Sequence, residues 1–416
     1  MKEILYLAHR IPFPPNKGDK LRSFNEIKYL AQRYRVHLGT FIDDSDDWRW
    51  TEELKRYCGE TYFASLRPTL TRLRSTRGFL TGEALTLPYY RDAGLLAWTE
   101  QMLASRPINH VMIYSSPMAQ YVVEKPQLLR VADFVDVDSD KWAQYALRKS
   151  WPMSWIYRRE AKKLAAFERQ VAAQFDATLL VAPYEAELLR AIAPNAAQRV
   201  HHVNNGVDAD FFSPNHLFAN PYKARQEAIV FTGAMDYLPN VDAVEWFADE
   251  VFPKICKKHR FATFYVVGTR PAPRLKRLAK VKGITVTGSV SDVRPYIAHA
   301  RIAVAPLKIA RGVQNKVLEA MAMAKTVVVS PQAAAGIAAR ADKEYLVAAG
   351  CDEFAEVISQ LWDADALQSI GKAARARVLA DYSWSANLAR LDLLLGGYKE
   401  AEAASNPVQE SREALG

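Results

Sequence analysis

Short runs of Val, Ile, Leu, Phe and Tyr punctuate the 416 residues, and stretches of helical periodicity separate them. One series falls at 4–8, 36–42, 111–114, 128–135, 177–182 and 199–203. A second falls at 229–233, 261–268, 284–288, 302–306, 326–330 and 345–348. Runs this apolar suit strands buried on both faces, and strands alternating with helices imply parallel sheets. Two series imply two doubly wound α/β domains, in keeping with a chain long for one domain. Between them lies NNGVDADFFSP (204–214), where turn residues cluster and periodicity lapses. The reading is a first domain at 1–206, a second at 207–380, a terminal helical segment at 381–400, and a small, polar tail at 401–416 read as disordered.

Composition narrows the function. Half the residues are hydrophobic and 24% charged, as in soluble globular proteins. No apolar stretch is long enough to span a bilayer, and the opening MKEILYLAHR reads as a first strand, not a signal peptide. The expectation is a cytoplasmic protein. Cys58, Cys256 and Cys351 lie far apart and read as reduced structural thiols, while the eight histidines, including His201 and His202, form no ligand pattern. No metal site is expected. The net charge of +9 favours an anionic partner, and without any nucleic-acid-binding signature a specific nucleic-acid role is set aside.

The segment RGVQNKVLEAMAMAKTVVVS (311–330) points to that partner: a glycine-opened loop, a short helix with Lys316 and Glu319 one turn apart, then a strand. Residues three apart share a helical face, and a helix N-terminus attracts anions. The set suits a ligand with phosphates and a ribose diol. A capping role for Glu319 would need Ser or Thr at 316, where Lys stands. Gly233 follows a strand, where glycine lets the backbone approach a ligand, and Gly268 and Gly288 stand at comparable strand ends, where glycine is common. The loop IPFPPNKGDKLR (11–22) follows the first strand, with Gly18 as its close-approach residue and Lys17, Lys20 and Arg22 adding positive potential. Asp19 and Asp292 read better as helix caps.

The core Leu318, Glu319, Ala320, Met321, Ala322, with Asn205, Gly206, Val207 and Asp208 upstream, resembles the retaining glycosyltransferases of family 4. That resemblance implies the GT-B architecture, two Rossmann-like domains facing across a cleft. It also implies that Glu319 bonds the donor ribose and Lys316 faces the diphosphate. Gly18, Gly233, Asn240, Gly268, Arg270, Gly288, Arg311, Gly312, Val313, Gln314 and Asn315 would complete the donor site. Two departures stand out. Arg311 replaces the family's first glutamate, and Met235 and Asn240 stand where an arginine and a lysine are common. In FVDVDSDKW (134–142), Asp136 or Asp138 would take the place of a histidine beside the reacting sugar. HRIPFPPNKGDK, DVDSDKW, MDYLPNVDAV and RGVQNKVLEAMAMAK resemble, more narrowly, bacterial sugar transferases associated with the PEP-CTERM and exosortase system.

By activity, the resemblance implies sugar transfer from a nucleotide sugar to a lipid-linked or oligosaccharide exopolysaccharide acceptor. The reaction would proceed with retention, without metal or other cofactor, and with a terminal helix crossing back onto the first domain. A nucleotide-sugar epimerase of the same architecture and a non-catalytic nucleotide-binding protein are the alternatives. The segment 141–169 carries eight basic residues against Glu160 and Glu168, with Trp142, Trp151, Trp155 and Tyr157 among them. It is a candidate for peripheral attachment to an anionic inner-membrane surface, its alternative being a solvated helix whose tryptophans pack on the sheet.

Overall fold

The computed structural model describes residues 1–15, 18–147, 149–310, 313–362 and 366–396. They form two compact units, one of Met1–Asn204 with the chain from Leu388, the other of Asn205–Asn387.

The first unit holds a seven-stranded parallel sheet in the order β3-β2-β1-β4-β5-β6-β7. Its strands are β1 (Lys2–Ala8), β2 (Tyr34–Ile42), β3 (Thr61–Ser65), β4 (Ile108–Tyr114), β5 (Leu129–Val135), β6 (Ala177–Leu180) and β7 (Val200–His202). The central strand β1 sets Ile4 against Val36 on one side and His110 on the other. Ile4, Leu5, Tyr6 and Leu7 are wholly buried, which explains why the sequence shows a continuous apolar run there instead of alternation. The edge strand β3, TYFAS, has no such run, because Thr61, Tyr62 and Phe63 are only half-buried. Five helices of this unit bear on its charges and its surface: α1 (Gly18–Leu30), α2 (Pro68–Ser75), α3 (Gly78–Thr81), α4 (Asp138–Leu147) and α5 (Met153–Gln174).

The second unit holds a six-stranded parallel sheet, β10-β9-β8-β11-β12-β13. These strands are β8 (Glu227–Thr232), β9 (Ala262–Val267), β10 (Ile284–Gly288), β11 (Ile302–Ala305), β12 (Val327–Val329) and β13 (Leu346–Val347). Its core is aromatic, with Phe247 and Phe264 ring centroids 4.7 Å apart and both side chains sealed from solvent. Two helices frame the candidate site: α6 (Leu238–Trp246) after β8, and α7 (Asn315–Ala322) between β11 and β12. A last helix, α8 (Arg390–Gly396), belongs to the first unit, where Asp392 accepts from Tyr29 at 2.7 Å and pairs with Arg33 at 3.1 Å.

Among the described residues no helix is long and apolar enough to cross a membrane. Lys17, Arg311, Gly312 and the tail at 401–416 lie outside them.

Candidate functional site

Open parallel sheets bind ligands beyond the carboxyl ends of their strands, where the strand order reverses. In the second unit that point lies between β8 and β11. Chain leaving β8 turns at Gly233, and chain leaving β9 turns at Gly268. The two turns are pressed together: a Cβ on Gly268, at φ 158°, would sit 1.7 Å from the Gly233 carbonyl oxygen. A Cβ on Gly233 would in turn meet Asn240 Nδ2 at 2.8 Å. Gly268 therefore excludes any side chain, whereas one at Gly233 would have to displace the Asn240 amide. Gly288 differs, since a Cβ there would meet nothing within 4 Å; only its φ of 70° calls for glycine.

Lys316, in the first turn of α7, donates to Asn240 Oδ1, and its ammonium lies 4.5 Å from the centroid of the Phe231 ring. Asn240 Nδ2 donates to Ala234 O at 2.8 Å, so both ends of this buried amide are used within the protein. In the ligand-free chain Asn240 holds Lys316 in place. Met235 is likewise buried in the core and substitutes for no cation. Burial lowers the Lys316 ammonium from 10.5 to about 8, the neighbouring Glu319 carboxylate offsetting only part of the effect. Burial raises Glu319 from 4.5 to about 7, with Lys316 acting in the opposite sense. Among the described residues Glu319 has no side-chain hydrogen bond or ion pair, and Gln314 at the helix cap gives α7 no side-chain cap bond. Val313, Gln314 and Asn315 are half-buried ahead of that helix. Arg270, at φ 51°, is exposed and paired with Asp236 at 2.9 Å. Asp292 accepts from the Arg294 N–H at 2.9 Å and pairs with its guanidinium at 2.7 Å, while Val293, not Asp292, stands at the cap of the short helix that follows.

In the first unit, Asp136 and Asp138 follow β5, and Lys141 Nζ bridges them at 2.8 and 3.1 Å. Burial alone would lower the Lys141 ammonium, but the carboxylates of Asp138 and Asp136 outweigh it and raise the group. Glu185 accepts from the Val137 N–H at 2.9 Å, and Glu168 accepts from Ser139. Desolvation raises Glu168 to about 8. Among the described residues no group of three or more His, Cys, Asp or Glu is placed to hold a metal ion.

Gly18 opens α1. Lys20 and Arg22 do not supply free positive potential as expected. Lys20 is buried against Asp47 at 2.5 Å, and Arg22, wholly enclosed, pairs with Asp133 at 2.6 Å and donates to Val203 O at 2.7 Å. Their partners come from distant segments, so nothing local in the loop announces the neutralisation. The His201 ring sits in β7 near Arg390, in the structural role expected of it.

Residues 226–364 match the family described as glycosyl transferases group 1. Curated protein sequences gave no match. Among solved structures, the sucrose-phosphate synthase of Thermosynechococcus elongatus is similar, at 15% identity and a TM-score of 0.65 over 97% of this chain and 100% of that one. HepE of Anabaena, in complex with UDP, is 13% identical with a TM-score of 0.61 over 95% and 99%. WaaG, a glycosyltransferase involved in lipopolysaccharide biosynthesis, is 16% identical with a TM-score of 0.62 over 95% and 100%. The chain thus has the two-domain GT-B fold, and its second unit carries a group 1 glycosyltransferase domain.

Proposed function

We propose that the protein is a retaining glycosyltransferase that moves a sugar from a nucleotide diphosphate donor to a lipid-linked exopolysaccharide acceptor, at the cytoplasmic face of a membrane and without a metal. The PEP-CTERM and exosortase-associated transferases are the group its motifs resemble. One observation carries the reading: Lys316, partly desolvated and anchored by Asn240, stands one turn from Glu319, which has no side-chain hydrogen bond among the described residues, beside two abutting glycine turns. HepE, of the same fold, is described in complex with UDP and with UDP-glucose, and a nucleoside diphosphate fits this chemistry.

In this mechanism the bond from the sugar's anomeric carbon to the diphosphate oxygen breaks, and the leaving charge meets the Lys316 ammonium and the N–H groups opening α7. Glu319 accepts from the ribose hydroxyls. The acceptor oxygen bonds to the anomeric carbon on the face the diphosphate leaves, and its proton passes to a leaving-phosphate oxygen. No protein nucleophile is required. Asp136 and Asp138 are held by Lys141, and a role in orienting substrate requires them to share that partner.

The test is nucleotide release from a panel of nucleotide sugars, with and without a lipid extract. Release from one donor only when extract is present is expected, with the sugar recovered in the lipid fraction in its original anomeric configuration. Donor isomerisation without acceptor would make the protein an epimerase, and binding without turnover would make it a nucleotide-binding protein.

A further inference from the structure

Two segments of the first unit, far apart in sequence, each expose large apolar side chains and meet at one aromatic contact. In α2 and α3, Leu70, Leu73 and Leu80 are 59, 71 and 90% exposed. At the entry to α5, Trp151, Met153 and Trp155 are 79, 39 and 51% exposed. A parallel stack joins the segments, Phe79 on Trp155 with centroids 6.0 Å apart and planes 6° apart. Arg159 secures the join, its guanidinium 4.8 Å from the Phe79 centroid and donating to Gly78 O. Trp142 and Tyr157, expected to join this surface, pack together at 5.1 Å instead, and Trp142 rests on the small core of Ala84, Leu87 and Leu164.

The surroundings are cationic. Arg67, Arg72, Arg77, Lys149, Arg158 and Lys162 are exposed, and residues 67–82 contain no carboxylate. Glu160, the one acidic residue from 149 to 163, is turned inward, accepting from the Leu85 and Thr86 N–H groups at 2.6 and 2.9 Å. Soluble monomers seldom show exposed apolar side chains gathered in this way. Whatever covers these side chains must receive leucine and tryptophan tips while presenting dense negative charge. An anionic bilayer surface does both: cations near it gain from its potential, and indole rings favour the headgroup zone.

We propose that the face built from α2, α3 and the start of α5 docks the first unit on anionic lipid bilayers, with Leu80, Trp151 and Trp155 entering the headgroup layer. The lipid-linked acceptor of the proposed function gives this docking its use. Its test contains no nucleotide sugar, so failure to dock and failure to transfer are separate results.

The full chain is sedimented with vesicles of phosphatidylcholine, alone or mixed with phosphatidylglycerol, over a salt series. Recovery with the mixed vesicles at low salt, absent with the neutral ones and lost as salt rises, is expected. R72Q/R77Q should weaken partition about 25-fold, at roughly fivefold per cation near the surface. L80S/W151S should weaken it by at least about tenfold, the scale of exposing one large apolar side chain. K276Q/R277Q, which removes exposed cations from the second unit, should leave recovery unchanged. Circular dichroism confirms that each variant is folded. Absence of wild-type binding at low salt, equal recovery with neutral vesicles, or an equal loss in K276Q/R277Q would each overturn the proposal.

Discussion

Replacing Lys316 by methionine should stabilise the ligand-free protein while abolishing its response to nucleotide. In the unfolded chain the ammonium keeps its proton up to about 10.5, and in the folded chain only up to about 8. Below pH 8 the folded state therefore carries the full penalty of a charge it would shed, roughly 3 kcal/mol. That penalty fades as pH rises from 8 towards 10.5. Methionine keeps an apolar stem over Phe231 and has no charge to desolvate. It forfeits the charge-assisted hydrogen bond to Asn240 Oδ1 and the attraction of the Phe231 ring, together at least about 2 kcal/mol.

The balance at pH 7 is a gain of at most about 1 kcal/mol, or about 2–4 °C in the Tm of a unit this size. Melting with and without UDP checks both halves. Saturating nucleotide at about 100 times its Kd should stabilise the wild type by about 2.7 kcal/mol and leave Lys316→Met where it was. The advantage of the variant should also vanish near pH 10, by the same linkage. A variant that melts below wild type at pH 7, or that keeps the UDP response, would refute the reasoning.

Gly268→Ala should destabilise the second unit by on the order of 3 kcal/mol and abolish nucleotide binding, since its Cβ would fall 1.7 Å from the Gly233 oxygen; unchanged melting contradicts the close approach. UDP affinity, measured by calorimetry, should fall as pH rises through about 8 and Lys316 loses its proton, and a flat profile from pH 7 to about 9 would detach binding from that ammonium. Transferase activity should survive EDTA; complete loss, restored by manganese or magnesium, would assign Asp136 and Asp138 to a metal instead of Lys141.

The fold is legible in the sequence wherever burial is complete on both faces. Strand β9, sealed along its length, appears as an apolar run broken only by Thr263, whereas the half-buried edge strand β3 passes unseen. At the site, the shared face of Lys316 and Glu319 follows from helical spacing alone. What spacing cannot disclose is the contact with Asn240, made across 76 residues by the turn after β8. Nor does it distinguish a glycine that ends a strand in open space, Gly288, from one locked against another turn, Gly268. Charges at the start of α1 mislead for the same reason, because Asp47, in a turn of helix after β2, and Asp133, in β5, which neutralise Lys20 and Arg22, arrive from distant segments.

The two units treat their charges differently, and the difference favours the second as the place where a ligand completes the structure. Beyond β5, Asp136 and Asp138 share Lys141, and Glu168 and Glu185 each accept hydrogen bonds from neighbouring residues, so the cluster is satisfied from within. Around α7 the charges are not satisfied in this way. Lys316 has a neutral amide in place of a carboxylate, and Glu319, among the described residues, has no side-chain partner at all. Desolvation pushes both towards their neutral forms, as it does Glu168, but Glu168 has the Ser139 hydroxyl and N–H as donors and Glu319 has none among the described residues. The missing complement is an anion for the lysine and a pair of hydroxyl donors for the glutamate, one helical turn apart. A nucleoside diphosphate carries both, so under the proposed function donor binding would supply the anion for Lys316 and the hydroxyl donors for Glu319 that the described residues do not provide.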